Sequence, residues 1–441
     1  MTATRATRPE SCSAWSIPCS KRARWAFATM VCAGAIPAVA HAQDPAPVKQ
    51  QQSPVQQRES LNDRQEGAPR PGDFALDPEL LGFIPVPNTP VLIRFNARPR
   101  TDMTMDNRNA GDDSRFVTAV IPVKSDPAFG GGGVFNLNAK GSQMSLDVRA
   151  PGIDGSPRFF YQNDFYGDDD GEFPYRVDQL YGEIYNVVVG MTYSVFEDPD
   201  AWPDTVDYEG PNSAIFARRP LARVMIQLND AWHVNLGVEQ PESEVDNSID
   251  PNGSGVNHWP DVGANIRWEA EDVGHVQVAA IVRQIGYDGP VTGNQRTLGW
   301  GVNAAAAFSL FDSDSVQAQV TYGEGIFRYL NDNFVANDAA FDEDGDLTAI
   351  PCLAVMLGYT HAWNEAWRST ASWGRVSLDN QASQDPTAYD ATQYVSLNVI
   401  WQIRKRLTLG LEGLYGSKEQ NDGDEGNVFR VHFGLVYSLF E

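Results

Sequence analysis

Cysteine and histidine are scarce in this chain of 441 residues, which contains four of the former and six of the latter. Three of the cysteines, Cys12, Cys19 and Cys32, lie near the N-terminus, so Cys352 is the only one in the rest of the sequence. The first three lie in the segment that we predict below to be removed as a signal peptide, and the one cysteine that remains cannot form an intramolecular disulfide. The fold must therefore be held by its own secondary structure. We predict that Cys352 is a small buried side chain and not a nucleophile.

Long hydrophobic runs are also missing. Beyond residue 39 no segment contains 18 consecutive apolar residues, so the sequence predicts no membrane-spanning helix. This absence is compatible with a membrane β-barrel, because each of its strands needs only about 10 residues of alternating polarity.

Basic residues are few compared with acidic ones. The chain has 33 Lys and Arg against 58 Asp and Glu, a formal net charge of −25. Residues 1–42 carry +4, so the remainder carries −29. Nucleic-acid binding rests on a basic surface, and this charge balance therefore predicts no nucleic-acid partner.

The N-terminal region has the features of an export signal. Lys21–Arg24 is basic, the 15 residues Trp25–Val39 are mostly apolar, and Ala40-His41-Ala42 fits a cleavage site. We therefore predict a signal peptide at 1–42. The segment 43–89 is rich in Gln and Pro and has no apolar periodicity, which predicts a disordered periplasmic lead-in.

From residue 90 to residue 441 the dominant pattern alternates with period 2. In Val431–Leu439, for example, apolar and aromatic residues alternate with small or polar ones, which indicates strands with different surroundings on their two faces. We count 16 such runs, at 91–99, 134–149, 158–167, 174–185, 187–195, 214–229, 231–241, 259–270, 274–286, 296–310, 315–330, 350–363, 366–379, 389–402, 406–417 and 428–440.

The connections between these runs alternate between long and short. Short turns at one end, long loops at the other and an even strand number are typical of outer-membrane barrels. Tryptophans and tyrosines near the strand ends fit interfacial girdles, although they could instead fill a soluble core. We therefore predict an all-β, 16-stranded antiparallel transmembrane β-barrel at 90–441, with short periplasmic turns and long external loops.

Arginines fall on the polar side of the strands. If the apolar side faces lipid, these arginines line the water-filled interior and form an arginine wall that favours anions. The alternative is that they only neutralise inward carboxylates such as Asp147, Asp178 and Glu412. The predicted wall consists of Arg94, Arg98, Arg100, Arg149, Arg158, Arg219, Arg223, Arg267 and Arg283.

A long acidic segment, SVFEDPDAWPDTVDYEGPNSAIFARRP at 194–220, lies between two of the runs. Its four prolines exclude a further strand. It is the third long loop, the one that in porins folds into the barrel and narrows it, so we expect it to face the arginine wall; an ordinary external loop is the alternative. Its acids are Glu197, Asp198, Asp200, Asp204, Asp207 and Glu209.

The same stretch resembles the DcaP-like outer-membrane porins. The similarity lies in Gly190–Phe196, in the DPDAWPDTVDYEGP motif at 198–211, in Phe216–Pro220 followed by Arg223, and in a strand from Ala139 to Arg149. The resemblance implies a trimer of 16-stranded barrels that takes up dicarboxylates and other small anions across the outer membrane of a Gram-negative bacterium.

We therefore predict a passive outer-membrane porin, and not an enzyme, whose partners are lipid, lipopolysaccharide and small anionic solutes. The acidic loop FDEDGD at 341–346 lacks the ligand spacing of a calcium loop, so we predict no metal and no cofactor. Two alternatives stay open: a structural or adhesive barrel with a plugged lumen, and an outer-membrane hydrolase. The hydrolase is disfavoured because no G-x-S-x-G motif occurs.

Overall fold

The computed structural model describes residues 82–167, 173–311 and 313–439. The predicted signal peptide lies outside these residues, as does most of the predicted lead-in, whose last residues 82–89 are included. The boundary at 42/43 lies outside the described residues, and both domain boundaries stay predictions.

Strands dominate the described part of the chain, with three short 3-10 helices at Thr118–Val120, Pro199–Ala201 and Phe327–Tyr329. The strands are β1 (Ile84–Pro85), β2 (Leu92–Arg98), β3 (Arg100–Asp106), β4 (Val134–Asn138), β5 (Gln143–Arg149), β6 (Arg158–Asp164), β7 (Arg176–Ile184), β8 (Val187–Tyr193), β9 (Arg218–Asn229), β10 (Trp232–Glu239), β11 (Ser254–Gly255), β12 (Asp261–Ala270), β13 (Gly274–Gly289), β14 (Gly293–Leu310), β15 (Asp314–Glu324), β16 (Ala339–Phe341), β17 (Leu347–Ala349), β18 (Pro351–Ala362), β19 (Trp367–Leu378), β20 (Tyr389–Arg404), β21 (Leu407–Gln420) and β22 (Glu425–Tyr437). Among the residues that the structure describes, no helix has the length and apolarity needed to cross a membrane.

Twenty of these strands form one large antiparallel sheet, and β16 and β17 form a separate hairpin. Long strands pair with their neighbours in the chain, as β13 does with β14 over 16 residue pairs. The last strand, β22, pairs back to β3, from Arg430↔Asp106 to Val436↔Arg100.

The structure continues the first predicted run, 91–99, into a further strand, and it divides the second run, 134–149, into two. Pro99, which has no N–H to donate to the ladder, separates β2 from β3, and residues 139–142 separate β4 from β5. The predicted count of 16 strands depends on whether β2 with β3, and β4 with β5, are each counted as one strand, so that number stays a prediction.

Short and long connections alternate along part of the sheet, and three of the predicted loops need correction. The first loop is 107–133 and not 100–133, because β3 continues past Pro99. Two predicted loops, 287–295 and 418–427, shrink to the turns 290–292 and 421–424 because the strand pairing runs further at both places. These strands are therefore longer than the segments of alternating apolar residues from which they were predicted.

The two faces of the sheet differ in polarity as the alternation predicts. On β9, Ala222, Val224 and Ile226 are exposed, while Arg223 and Met225 between them are buried. The aromatic residues predicted to form the girdles are all exposed or half-buried, so they do not fill a soluble core. They are Trp232, Trp268, Trp300, Tyr322, Tyr359, Trp363, Trp367, Trp373, Trp401, Tyr415 and Tyr437. The apolar side is therefore the outer face, and we call the opposite side the inner face.

An apolar core lies against the inner face instead of between two sheets. Phe196 and Ile215 come from the loop after β8, whereas Phe327 and Leu330 come from the loop after β15. Cys352 on β18 belongs to this core and is buried, as predicted. We call residues 194–217 the first inner loop and residues 325–350 the second inner loop.

Candidate functional site

The first inner loop turns onto the inner face directly after β8. The Oε1 atom of Glu239 on β10 accepts hydrogen bonds from Ser194 Oγ (3.0 Å) and Val195 N (2.7 Å). The Asp198 side chain then caps the 3-10 helix at Pro199–Ala201 by accepting from Asp200 N. This turn ends the strand pairing and directs the chain across the sheet.

Amide side chains of the inner face hold the backbone of the first inner loop. They belong to four separate strands, so the loop lies across the inner face from β12 to β20. The donors and acceptors are Asn265 Nδ2 to Val195 O (2.7 Å), Asn303 Nδ2 to Phe196 O (3.0 Å), Gln319 Nε2 to Ser213 O (2.9 Å) and Asn398 Nδ2 to Asp204 O (2.8 Å). These bonds satisfy carbonyl groups that a proline-bent loop cannot pair within itself.

Glycines on the inner face leave room for this close approach. A Cβ atom at Gly263 would lie 2.3 Å from Val195 Cγ2, and one at Gly410 would lie 2.5 Å from Val206 Cγ2. Both distances are far below van der Waals contact, so the loop can occupy its position only where the strands lack side chains.

The first acids of the loop meet the predicted arginine wall. Arg267 binds Asp198 (3.1 Å) and Asp200 (2.8 Å), and His275 Nε2 lies 2.9 Å from the second oxygen of Asp198. Burial would raise the pKa of the Asp198 carboxyl, but His275 and Arg267 outweigh it and hold that pKa well below its usual range. Asp198 therefore stays ionised and anchors the loop.

The remaining predicted acids have other partners. Asp204 binds Arg368 on β19 at 2.6 Å, and Glu209 lies 4.0 Å from Arg115. Glu197 accepts from Ala217 N at the end of its own loop. Asp207 is fully buried, and burial raises the pKa of its carboxyl although His432 and Arg430 oppose the shift.

Three of the nine predicted arginines converge on one carboxylate. Arg149 (2.9 Å), Arg158 (3.1 Å) and Arg94 (3.9 Å) all bind Asp147, and Arg158 also lies 3.8 Å from Glu183. These three arginines therefore neutralise an inward carboxylate, as the alternative to an arginine wall predicts. The three guanidinium groups lie beside the short connection 150–157.

The other predicted arginines also lie on the inner face, with varied contacts. Arg100 binds Asp102 (2.7 Å) and donates to Val206 O, so it holds the first inner loop. Arg98 and Arg223 are buried, and Arg223 lies 3.4 Å from Tyr193 O.

The last two, Arg219 on β9 and Arg283 on β13, contact the second inner loop. Arg219 donates to Arg328 O (2.8 Å), and Arg283 binds Asp338 of that loop and Asp261 of β12 (3.4 Å). Arg283, Arg328 and Asp338 are fully buried, and Tyr329 donates to Asp261 Oδ2 at 2.8 Å. The structure thus places a second inserted segment beside the predicted one.

The sequence reasoning missed several residues of this site. Arg368 and His275 could have been found, because each occupies the inward parity of its strand, as in Arg368, Thr370 and Ser372 on β19. Arg115 could not, since it lies in no alternating run. Arg328 lies in the predicted run 315–330, but β15 ends at Glu324 and Arg328 belongs to the 3-10 helix that follows. No sequence pattern indicated that the second inner loop is inserted, because its residues pack against core residues from distant parts of the chain.

Within several ion pairs of the inner face, water reaches the arginine and not the acid. The exposed side-chain fractions are 25% and 2% for Arg94 and Asp147, 26% and 0% for Arg176 and Asp164, and 10% and 0% for Arg218 and Asp178. Glu242 and Glu269, which follow or end strands, show the opposite order with Arg219 and Arg267. The water-accessible charge in the first group of pairs is therefore positive.

A cavity of about 550 Å³ lies between the loop 107–133, the end of β6 and the second inner loop. Arg115 in this cavity lies between the rings of Tyr166 (5.6 Å) and Phe334 (4.9 Å). In the described ranges, no group of His, Cys, Asp and Glu side chains is arranged to hold a metal ion.

An antiparallel sheet with an apolar outer face and loops folded on its inner face defines the porin class of fold. The sequence model of the DcaP outer membrane protein family matches residues 82–439, and the chain belongs to this family. A comparison with curated proteins gave no significant match.

Solved structures agree with this fold. The crystal structure of the outer membrane channel DcaP of Acinetobacter baumannii is similar over 81% of this chain and 100% of its own, with 21% identity and a TM-score of 0.72. An anion-selective porin from Comamonas acidovorans is similar over 79% of this chain and 100% of its own, with 10% identity and a TM-score of 0.51.

Proposed function

We propose that the protein is a passive diffusion porin of the outer membrane of a Gram-negative bacterium, exported with a signal peptide at 1–42. The observation that carries this proposal is the first inner loop, which lies across the inner face and is bonded to β12, β14, β15 and β20. A loop held across the inner face by hydrogen bonds would narrow a passage through the barrel.

The barrel of the proposed porin has 16 strands. This number follows when β2 with β3 is counted as one strand broken at Pro99, and β4 with β5 as another. The pairing of β22 with β3 supports closure, because it joins the last strand of the sheet to the first. A closed barrel leaves no strand edge that could pair with another chain.

The proposed porin prefers small anions such as dicarboxylates. Support comes from the ion pairs in which only the arginine reaches water, since such positive groups attract anions and repel cations. The proposed wall is the predicted set of nine arginines, to which Arg94 belongs, and Arg176 and Arg218 add to it. The acids of the first inner loop face this wall through Arg267. The neighbour from Comamonas acidovorans is itself described as anion-selective.

Reversal potentials of single channels in a potassium chloride gradient test this preference. We expect wild-type protein to be anion-selective, and the variant with Arg94, Arg98 and Arg223 all changed to Ala to lose that selectivity. Cation selectivity of the wild type would reassign the selecting charge to the acids of the first inner loop. No conductance at all would refute the porin.

A structural or adhesive barrel with a plugged lumen is the second candidate. The apolar core on the inner face favours it, because the two inner loops fill space that a wide channel would leave open. A plugged barrel conducts only after residues 197–211 are deleted, whereas a porin conducts before the deletion. The hydrolase hypothesis gains no support from family membership.

The proposed assembly is a homotrimer in contact with lipid and lipopolysaccharide, as the family resemblance implies. The small outward residues of the stretch Ala304–Ala307 suit a subunit contact. Crosslinking of the detergent-solubilised protein tests the trimer, and a band at the size of one chain only would contradict it.

A further inference from the structure

A short hairpin precedes the first long strand. In it β1 pairs with β2 through Ile84↔Ile93 and Pro85↔Leu92. Ile84 is 70% exposed and shares the outer face with Ile93, so alternation turns Phe83 toward the inner face. One edge of β2 is paired with β5, so β1 must lie on the opposite edge. This is the side of the first strand on which β22 pairs with β3.

The end of the last strand fixes the place of this hairpin. Leu439 N donates to Ala97 O at 2.9 Å, which is the last bond between the C-terminal strand and the first strand in the described residues. β1 therefore continues the ladder where the C-terminal strand stops. The hairpin is thus part of the sheet, and Phe83 has a defined position.

The ring of Phe83 covers two members of the arginine cluster around Asp147. Its centroid lies 5.1 Å from Arg94 Cζ and 5.3 Å from Arg149 Cζ, both within cation–π range. Asp147 itself is buried beneath these guanidinium groups. An anion that approaches from the inner face therefore meets the ring and the exposed parts of the arginines, and not the carboxylate.

An aromatic ring in this position weakens the attraction of the cluster for anions. Its negative face partly offsets the charge of the two guanidinium groups, and its apolar atoms exclude water from them. Since the cluster lies beside the short connection 150–157, the effect is placed at the short-turn end of the passage.

We propose that Phe83 is a specificity-determining residue that limits the access of small anions to Arg94 and Arg149. This inference rests on the proposed function, because it sets the anion preference of the same passage. It assigns to the segment before the first long strand a role in selectivity that goes beyond closing the sheet.

The test compares Phe83→Ala with Ile84→Ala, the neighbouring residue on the opposite face of the same hairpin. Chloride in a potassium chloride gradient is the probe, and reversal potential is the readout. We expect Phe83→Ala to raise the chloride-to-potassium permeability ratio about twofold, the size of an exposed cation–π contact. Ile84→Ala should leave the ratio unchanged.

Two further variants separate the ring from simple packing. Phe83→Leu keeps an apolar side chain without a π face and should shift the ratio in the same direction. In a background with Arg149→Ala, the effect of Phe83→Ala should shrink, because one of the covered charges is gone.

An unchanged ratio in Phe83→Ala, a shift toward potassium, or an equal shift in Ile84→Ala would overturn the inference while leaving the porin intact. Should Phe83→Ala fail to fold, as judged by heat-modifiable gel mobility, Phe83→Leu carries the test. Wild-type protein without conductance would instead refute the proposed function.

Discussion

The two inner loops lie against the same sheet but are held there by different means. The first inner loop relies on backbone carbonyls bonded to Asn and Gln side chains and on the pairs of Arg267 with Asp198 and Asp200. The second relies on the fully buried Arg283, Arg328 and Asp338 together with its aromatic residues.

This difference assigns different work to the two segments. Arg267 keeps contact with water, so the ion pairs that hold the first inner loop lie where the inner face is open to solvent. The second inner loop holds charges away from water, and removal of one such partner leaves another charge buried and uncompensated. We therefore expect the first loop to govern conductance and the second to govern stability.

Arg283→Ala should give the largest effect and would sharpen the comparison. Loss of this guanidinium leaves the buried Asp338 without its main cation, although Asp261 keeps Arg328 (3.4 Å) and Tyr329 (2.8 Å), and we expect a cost of about 3–5 kcal/mol of unfolding free energy. Urea unfolding in detergent measures it. Arg296→Ala, at an exposed position of β14, is the matched control and should change stability by less than about 0.5 kcal/mol. Equal losses in the two variants would contradict the assignment.

Arg267→Ala should have a smaller effect on stability and a larger one on current. His275 still holds Asp198 and Glu269 is exposed to water, so Asp200 is the one buried acid that loses its main cation, at a cost of about 1–3 kcal/mol. We expect greater channel conductance and more open-channel noise in planar bilayers. Arg267→Lys keeps the charge and should restore part of the wild-type behaviour. The comparison breaks if Arg267→Ala destabilises the protein as much as Arg283→Ala.

Acid should act weakly, and mainly through the second inner loop. Burial, with the nearby Asp338 and Glu242, raises the pKa of Glu244 to about 7, and burial also raises the pKa of Asp338. Groups with raised pKa bind protons more firmly when docked, so docking strengthens as pH falls from 8 to 5. Asp198, whose pKa is lowered, stays charged throughout this range.

Channel noise at pH 8 and pH 5 measures this effect, and we expect the quieter channel at pH 5. Glu244→Gln is neutral at both values and should reduce the difference. A noisier wild-type channel in acid, or an unchanged difference in Glu244→Gln, would count against docking by protonation.

Much of the fold was predictable from the sequence, because the two faces of each strand have different surroundings and the side-chain polarity therefore alternates with period 2. The runs ending in Val431–Leu439 and the placement of Arg223 between Ala222 and Val224 needed no further information. Strand ends were less predictable, as β13 and β14 show, because backbone pairing continues where the side chains no longer alternate.

The candidate site was predictable only where charge and parity coincide. Arg267 satisfied both conditions and meets two of the predicted acids. The partners Arg368 and Arg115 could not be assigned to Asp204 and Glu209, since the contacts span 164 residues in one case and cross between loops in the other. Three-dimensional proximity of this kind leaves no trace in local periodicity.

The contacts between the two inner loops also bear on how the molecule assembles. Phe216 N donates to Tyr329 O, and Asn331 N donates to Ala214 O, both at 2.9 Å, across more than a hundred residues of intervening chain. Bonds of such long sequence separation form late and slow folding, because loop-closure entropy must be lost before they form. Neither segment can reach its final contacts before β9 to β15 have been laid down between them, so the interior is completed together with the sheet.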